Sequence, residues 1–69
     1  MKISARNTLK GKITKITKGA TTSHVLIDVQ GATVTASITN ESVEELKLKE
    51  GMEAYAIIKA SDVMVGVPH

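Results

Sequence analysis

Two short polar patches carry the most chemistry in this chain. Ser4-Ala5-Arg6-Asn7 lies near the start and Lys59-Ala60-Ser61-Asp62 near the end, and each borders an apolar, strand-like run. Ser4, Arg6, Asn7, Lys59 and Ser61 are hydrogen-bond donors, and their backbone N–H groups add to the supply. Such a set suits a small tetrahedral oxyanion, which only accepts hydrogen bonds and is drawn to positive charge. Nothing of an enzyme accompanies the patches. The sequence holds no cysteine, its two histidines have no partner at a fixed spacing, and no nucleophile elbow, P-loop or metal-ligand cluster occurs. With neither an acid–base pair nor an activated nucleophile at meaningful spacing, the chain reads as a binder and not as a catalyst.

The elements that must position these patches follow a period of two. Leu9, Gly11 and Ile13 alternate with Lys10, Lys12 and Thr14, so residues 7–17 are predicted to form a strand with one face inward. Ile16 breaks the alternation, and a bulge between Thr14 and Ile16 restores it. A polar turn over residues 18–23 leads to a second strand with Val25, Ile27 and Val29 on one face, and Gly31 marks the next reversal. Val34, Ala36 and Ile38 face inward from a third strand rich in β-branched residues. Asn40 or Ser42 is expected to cap a short helix over residues 43–46, with the Ser42 to Glu45 spacing of a capping box. Residues 52–59 and 63–67 supply two more strands, and Pro68 stops the last. The fold class expected is all-β: a five-stranded OB-like Greek-key barrel with one short helix between strands 3 and 4.

Size and charge narrow the function. A chain of 69 residues forms one domain that buries only about 60% of its unfolded surface, near the limit for standing alone. Lacking disulfides and a zinc cluster, it needs copies of itself, and a 42% apolar composition leaves surface for that. A net charge of +2 and a pI near 9.1 are too mild to indicate nucleic acid, yet over several subunits they draw small anions into shared crevices. The aromatic census points the same way. Single-stranded nucleic acid stacks its bases on aromatic rings at about 1–3 kcal/mol each, and this chain has Tyr55 alone, with no Phe or Trp. No apolar run approaches the roughly 20 residues of a membrane span and the N-terminus lacks a secretory apolar core, so no membrane contact and a cytoplasmic location are expected.

The residues also resemble a known family. Ser4-Ala5-Arg6-Asn7 followed by Leu9-Lys10-Gly11-Lys12-Ile13, then Ser42-Val43-Glu44-Glu45-Leu46, Leu48-Lys49-Glu50-Gly51 and Ile58-Lys59-Ala60-Ser61-Asp62-Val63-Met64, resemble the molbindins. These are free-standing single Mop domains, a unit also fused to molybdate-responsive regulators and transporter ATPases. The resemblance spans nearly the whole chain and implies a single Mop domain over residues 1–69. It further implies an intracellular binder of molybdate and tungstate, without organic cofactor, assembled as a homohexamer with anion sites between subunits.

The chemistry of a first site is consistent with that implication. Molybdate is a tetrahedral dianion with no proton to donate, so its partners must be donors and a nearby carboxylate repels it. Ser4 and Ser61 offer hydroxyls, Arg6 and Asn7 offer backbone N–H groups, Lys59 offers charge, and Ala60 is small enough to let the backbone approach. The Arg6 side chain has an alternative, an interface salt bridge with Glu44, Glu45 or Asp62 of a neighbour. Lys59 taken alone also reads as a solvated charge at a strand end. Asp62 is expected to face away from the anion and to accept hydrogen bonds from backbone or Arg6. Lys18, Gly19, Ala20, Thr21 and Thr22 form a second candidate site, in which Gly19 frees the backbone and its neighbours add donors. The same stretch also reads as an ordinary hairpin connection, while the resemblance implies a second oxyanion site near this turn on a three-fold axis. His24 reads as a surface residue flanking a strand.

Three functions from different classes fit these residues: storage of molybdate or tungstate, a regulatory or interaction module whose partner affinity responds to the anion, and an oligonucleotide-binding OB protein. The missing aromatic rings and modest charge disfavour the third.

Overall fold

The computed structural model describes residues 2–69. The chain runs through β1 (Asn7–Lys18), β2 (Thr22–Val29), β3 (Ala32–Thr39), α1 (Asn40–Glu45), β4 (Glu53–Ile58) and a 3-10 turn (Ala60–Asp62). All strand pairs are antiparallel, and the order across the sheet is β3-β2-β1-β4.

β1 organises the molecule by serving two partners along its length. Its residues 7–12 pair with β4 and its residues 12–18 pair with β2. The handover falls at a bulge: Ile13 pairs with Ile27 and Lys15 with Leu26, which leaves Thr14 as the extra residue. An added residue bends its strand and sharpens the twist, so the sheet curls here. It also returns Ile16 to the inner side, where it packs against the core, as the broken alternation predicts. The Ile13 N–H donates to the Met52 carbonyl at 2.9 Å and its carbonyl accepts from the Gly51 N–H at 2.7 Å, so the segment leading into β4 is tied to the bend.

The other joints follow from local chemistry. Gln30 and Gly31 connect β2 to β3 with φ of 50° and 90°, the paired positive values of a tight primed turn, and the Asp28 carboxylate accepts the Gly31 N–H at 3.1 Å. The helix begins earlier than the sequence suggests. Thr39, and not Asn40 or Ser42, is its cap, because β3 stays extended through Thr39 and its hydroxyl then accepts the Ser42 N–H at 3.1 Å. The helix closes in a Schellman arrangement, with Leu48 N–H to Val43 carbonyl at 3.0 Å, Lys47 N–H to Glu44 carbonyl at 3.1 Å, and Lys47 at φ 53°. Val43 and Leu48, the apolar pair of that motif, both pack on the core.

The expected fifth strand is not formed. The described residues contain four strands, and the sheet is curled and open between β3 and β4, not closed as a Greek-key barrel. Residues 63–67 meet neither free edge because the 3-10 turn carries the chain off the end of β4, leaving Met64 93% and Val65 90% exposed. The core is correspondingly small. Ile13, Val25, Ile27 and Ala56 are buried, ringed by half-buried Val29, Val34, Ala36, Ile38 and Ala54.

Gly11 sets a limit on how tightly β1 crosses β2. A Cβ there meets the Asp28 carbonyl at 2.4 Å and the Ile27 and Val29 side chains at 2.9 and 3.0 Å. Since a backbone oxygen cannot swing aside, Gly11→Ala is expected to destabilise by about 1–3 kcal/mol, the usual range for overpacking. Urea unfolding checks this, with a lowered midpoint as the outcome.

Candidate functional site

The two patches singled out in the sequence are neighbours in space. Asn7 is paired with Ile58 at the shared end of β1 and β4, so residues 4–6 lead into that end and residues 59–61 lead out of it. The Asn7 side chain ties the junction, its amide donating to the Ile58 carbonyl at 3.2 Å. Asn7 is half-buried, whereas Ser4, Arg6, Lys59, Ala60 and Ser61 are exposed. Their donors therefore open onto solvent on a single subunit.

The 3-10 turn shapes the second half of the cluster. Lys59 stands before it in extended conformation, φ −65° and ψ 140°, and its carbonyl accepts the Asp62 N–H at 2.9 Å. The Val63 N–H reaches the Ala60 carbonyl at 3.3 Å. These bonds consume carbonyls and later N–H groups, so the leading N–H groups of Ala60 and Ser61 are left out of the turn's own bonding. Asp62 is exposed, and its role in the turn runs through its backbone and not through accepted side-chain bonds. No ion pair joins Arg6 to an acidic residue among the described residues of this subunit.

The second candidate site is separate. Residues 18–22 sit at the far end of β1, and a twelve-residue strand has a contour of about 40 Å at roughly 3.3 Å per residue. The two clusters therefore belong to different places on the molecule. The turn is held as a hairpin connection, its Gly19 N–H donating to the Thr22 carbonyl at 2.8 Å. Lys18 reaches Glu44 of α1 at 3.7 Å, which spends part of its charge within the subunit. Thr17, Gly19, Thr22 and His24 line a shallow depression beside it, so His24 belongs to the same surface.

Two residues to which the sequence suggests other parts hold this turn. The Asn40 side-chain amide donates to the Gly19 and Ala20 carbonyls at 3.0 and 3.3 Å, and its backbone N–H donates to the Thr21 carbonyl at 3.0 Å. Its oxygen accepts the hydroxyl of Ser23 at 2.5 Å, a serine only 1% exposed. Asn40 was a candidate helix cap, and Ser23 the last residue of a polar turn. No local pattern separates these roles, because the bonds join residues about twenty positions apart.

Comparisons with known proteins agree with this architecture. Residues 3–65 match the family model of the TOBE domain. A probable molybdenum-pterin-binding protein of Haemophilus influenzae is 54% identical over 97% of this chain and 99% of its own length. Among solved structures, a molybdate binding protein from Sporomusa ovata superposes with a TM-score of 0.92 at 36% identity, over 97% of this chain and 100% of that one. The cytoplasmic molybdate-binding protein ModG, with molybdate bound, gives a TM-score of 0.92 at 45% identity, over 99% of this chain and 49% of that one.

Asn40→Ala removes two donors to turn carbonyls and orphans the buried Ser23 hydroxyl. A loss of about 1–3 kcal/mol is expected, the cost of stranding a buried polar group. Hydrogen exchange localises the effect, with the Gly19 amide exchanging faster in the variant.

Proposed function

The chain belongs to the TOBE domain family, and on that premise we propose that it binds molybdate, and equally tungstate, as a binding and storage protein with no catalytic step. The observation that carries the proposal is the Asn7–Ile58 pairing, which sets two donor-rich patches side by side at one end of the sheet. Ser4 and Ser61 supply hydroxyls, Arg6, Asn7, Ala60 and Ser61 supply N–H groups, and Lys59 supplies charge. The ligand is the oxyanion and not a pterin. A flat heterocycle wants a ring to stack on, whereas Tyr55, the one aromatic residue, lies beside Lys10 in the middle of the β1–β4 pair.

The site is completed by a neighbouring subunit of a hexamer. Exposed donors facing open water gain little from a ligand that water solvates equally well, and a wall that excludes solvent strengthens each charged hydrogen bond. The turn at residues 18–22 forms a second, weaker anion site in the assembly, with Gly19, Ala20, Thr21 and Thr22 as donors beside Lys18. The protein acts in the cytoplasm, buffering the anion for the assembly of molybdenum or tungsten enzymes.

Selectivity follows from a site made only of donors. Monohydrogen phosphate brings a proton that finds no acceptor, and the smaller sulfate leaves long hydrogen bonds in a pocket sized for molybdate. Calorimetric competition with plain sodium molybdate, pterin absent, should show displacement by tungstate and none by sulfate or phosphate at comparable concentration. Displacement by sulfate would sink the proposal.

Substitutions separate binding from diffuse attraction. Lys59→Ala deletes a charge-assisted contact of about 1.5–3 kcal/mol, roughly a ten- to hundredfold loss of affinity. Ser61→Ala costs less, on the order of 1 kcal/mol. Lys12→Ala, on the exposed face of β1, should leave affinity nearly unchanged. Titration of the three variants decides the matter: equal weakening by Lys12→Ala and Lys59→Ala, with none from Ser61→Ala, means that the anion answers to bulk charge.

A further inference from the structure

In the turn between β1 and β2, every backbone acceptor is already engaged. A free carbonyl repels an oxyanion and a free N–H attracts one, so the ion a turn takes depends on which of its backbone groups are occupied. Here the occupied groups are nearly all of one kind. The Gly19 and Ala20 carbonyls accept from the Asn40 side-chain amide at 3.0 and 3.3 Å, and the Thr21 carbonyl accepts from the Asn40 N–H at 3.0 Å. The Thr22 carbonyl accepts from the Gly19 N–H at 2.8 Å. Among the described residues, the N–H groups of Ala20 and Thr21 donate to no protein acceptor, and both residues are exposed.

Charge gives this turn little direction of its own. Lys18 lies 3.7 Å from Glu44 with both side chains exposed, so the pair is close to neutral for an incoming ion. Thr17, Thr22 and His24 border the turn, and none of them is acidic. The polarity of the backbone is left to decide. Asn40 supplies the donors for three of the four carbonyls. Its backbone bond to Thr21 continues the β2–β3 ladder one step beyond the Thr22–Thr39 pair, and any residue except proline makes it. The two side-chain bonds are different, because they need a donor amide at this position. Its oxygen accepts the hydroxyl of the buried Ser23, which keeps the N–H end of the amide turned to the carbonyls.

We propose that Asn40 is the positioning residue of the second oxyanion site. Its amide occupies the Gly19 and Ala20 carbonyls and leaves the turn with donors alone, the N–H groups of Ala20 and Thr21 and the hydroxyls of Thr21 and Thr22. This rests on the reading of residues 18–22 as an anion site. With its side-chain donors spent on carbonyls, Asn40 acts through the backbone it holds. A side chain without donors there frees two carbonyl oxygens, and the anion then meets acceptors beside its donors.

Crystals grown with sodium tungstate and calorimetric titration with sodium molybdate test the proposal, the anomalous scattering of tungsten showing which site is filled. The parent should hold tungsten both at the turn and at the cluster of residues 4–7 and 59–61. Asn40→Leu is neutral and lacks donors, while Asn40→Asp keeps an acceptor for Ser23 but presents no N–H. Each should weaken the turn site about tenfold or more and leave the cluster unchanged, and a filled cluster shows that the variant is folded. Ser23→Ala loosens the clamp but leaves the amide donors in place, so it should cost the turn site less, roughly threefold. Unchanged affinity at the turn in Asn40→Leu overturns the proposal, since a loss confined to Asn40→Asp is the effect of its charge. Equal losses in Ser23→Ala and Asn40→Leu also overturn it, because rigidity and not carbonyl occupation then decides. A parent that fills only the cluster overturns the second-site reading and this proposal with it, whereas the variant results leave that reading standing.

Discussion

The structure depends on β1 being shared between two partners. Strands twist on their own, and the extra residue at Thr14 adds a bend where pairing with β4 gives way to pairing with β2. Ile13 sits at the bend, buried against Ile27 and bonded through its backbone to residues 51 and 52. Ala56 of β4 joins Ile13 in the same buried cluster. The near-contact at Gly11 is part of the same constraint, since it lets β1 approach the end of β2 more closely than any side chain permits.

Both clusters of donors are consequences of this geometry. The antiparallel β1–β4 pair brings the residues before β1 beside those after β4, and the sheet's opposite end presents the β1–β2 turn. They differ in preparation. The turn is clamped by Asn40 and Ser23, with carbonyls occupied and Lys18 leaning on Glu44. The cluster of Ser4, Arg6, Lys59, Ala60 and Ser61 is tied by the Asn7 amide and by the backbone bonds of the 3-10 turn, and its side chains are exposed. A site poised in that way is sensitive to whatever shields it from water, because the energy of a charged hydrogen bond depends on the dielectric around it.

The core of the single subunit is thin. Among the described residues only Ile13, Val25 and Ile27 are buried large side chains, each contributing about 1.5–3 kcal/mol, with Ala56 beside them, and these stand against the entropy of ordering the chain. The apolar gap between β3 and β4 and the exposed valines after the 3-10 turn both leave apolar surface uncovered on the single subunit.

Much of this was legible in the sequence wherever a feature is local. Alternation located all four strands, although β2 begins at Thr22, inside the stretch 18–23 that reads as a turn; the misplaced Ile16 announced the bulge, and Gly31 marked the hairpin. The donor patches stood out because an oxyanion constrains residue types more than their order. The helix cap was misjudged by a residue or more, since Thr39, Asn40 and Ser42 are all good caps and only the extended end of β3 chooses among them. Asn40 and Ser23 were missed as clamps of the turn for the related reason that their partners are distant in sequence. Residues 63–67 show the boundary most clearly. Their alternation suggested a fifth strand, but the 3-10 turn carries them past both free edges and no strand forms, because pairing needs a backbone edge within reach and only the three-dimensional structure says where one lies.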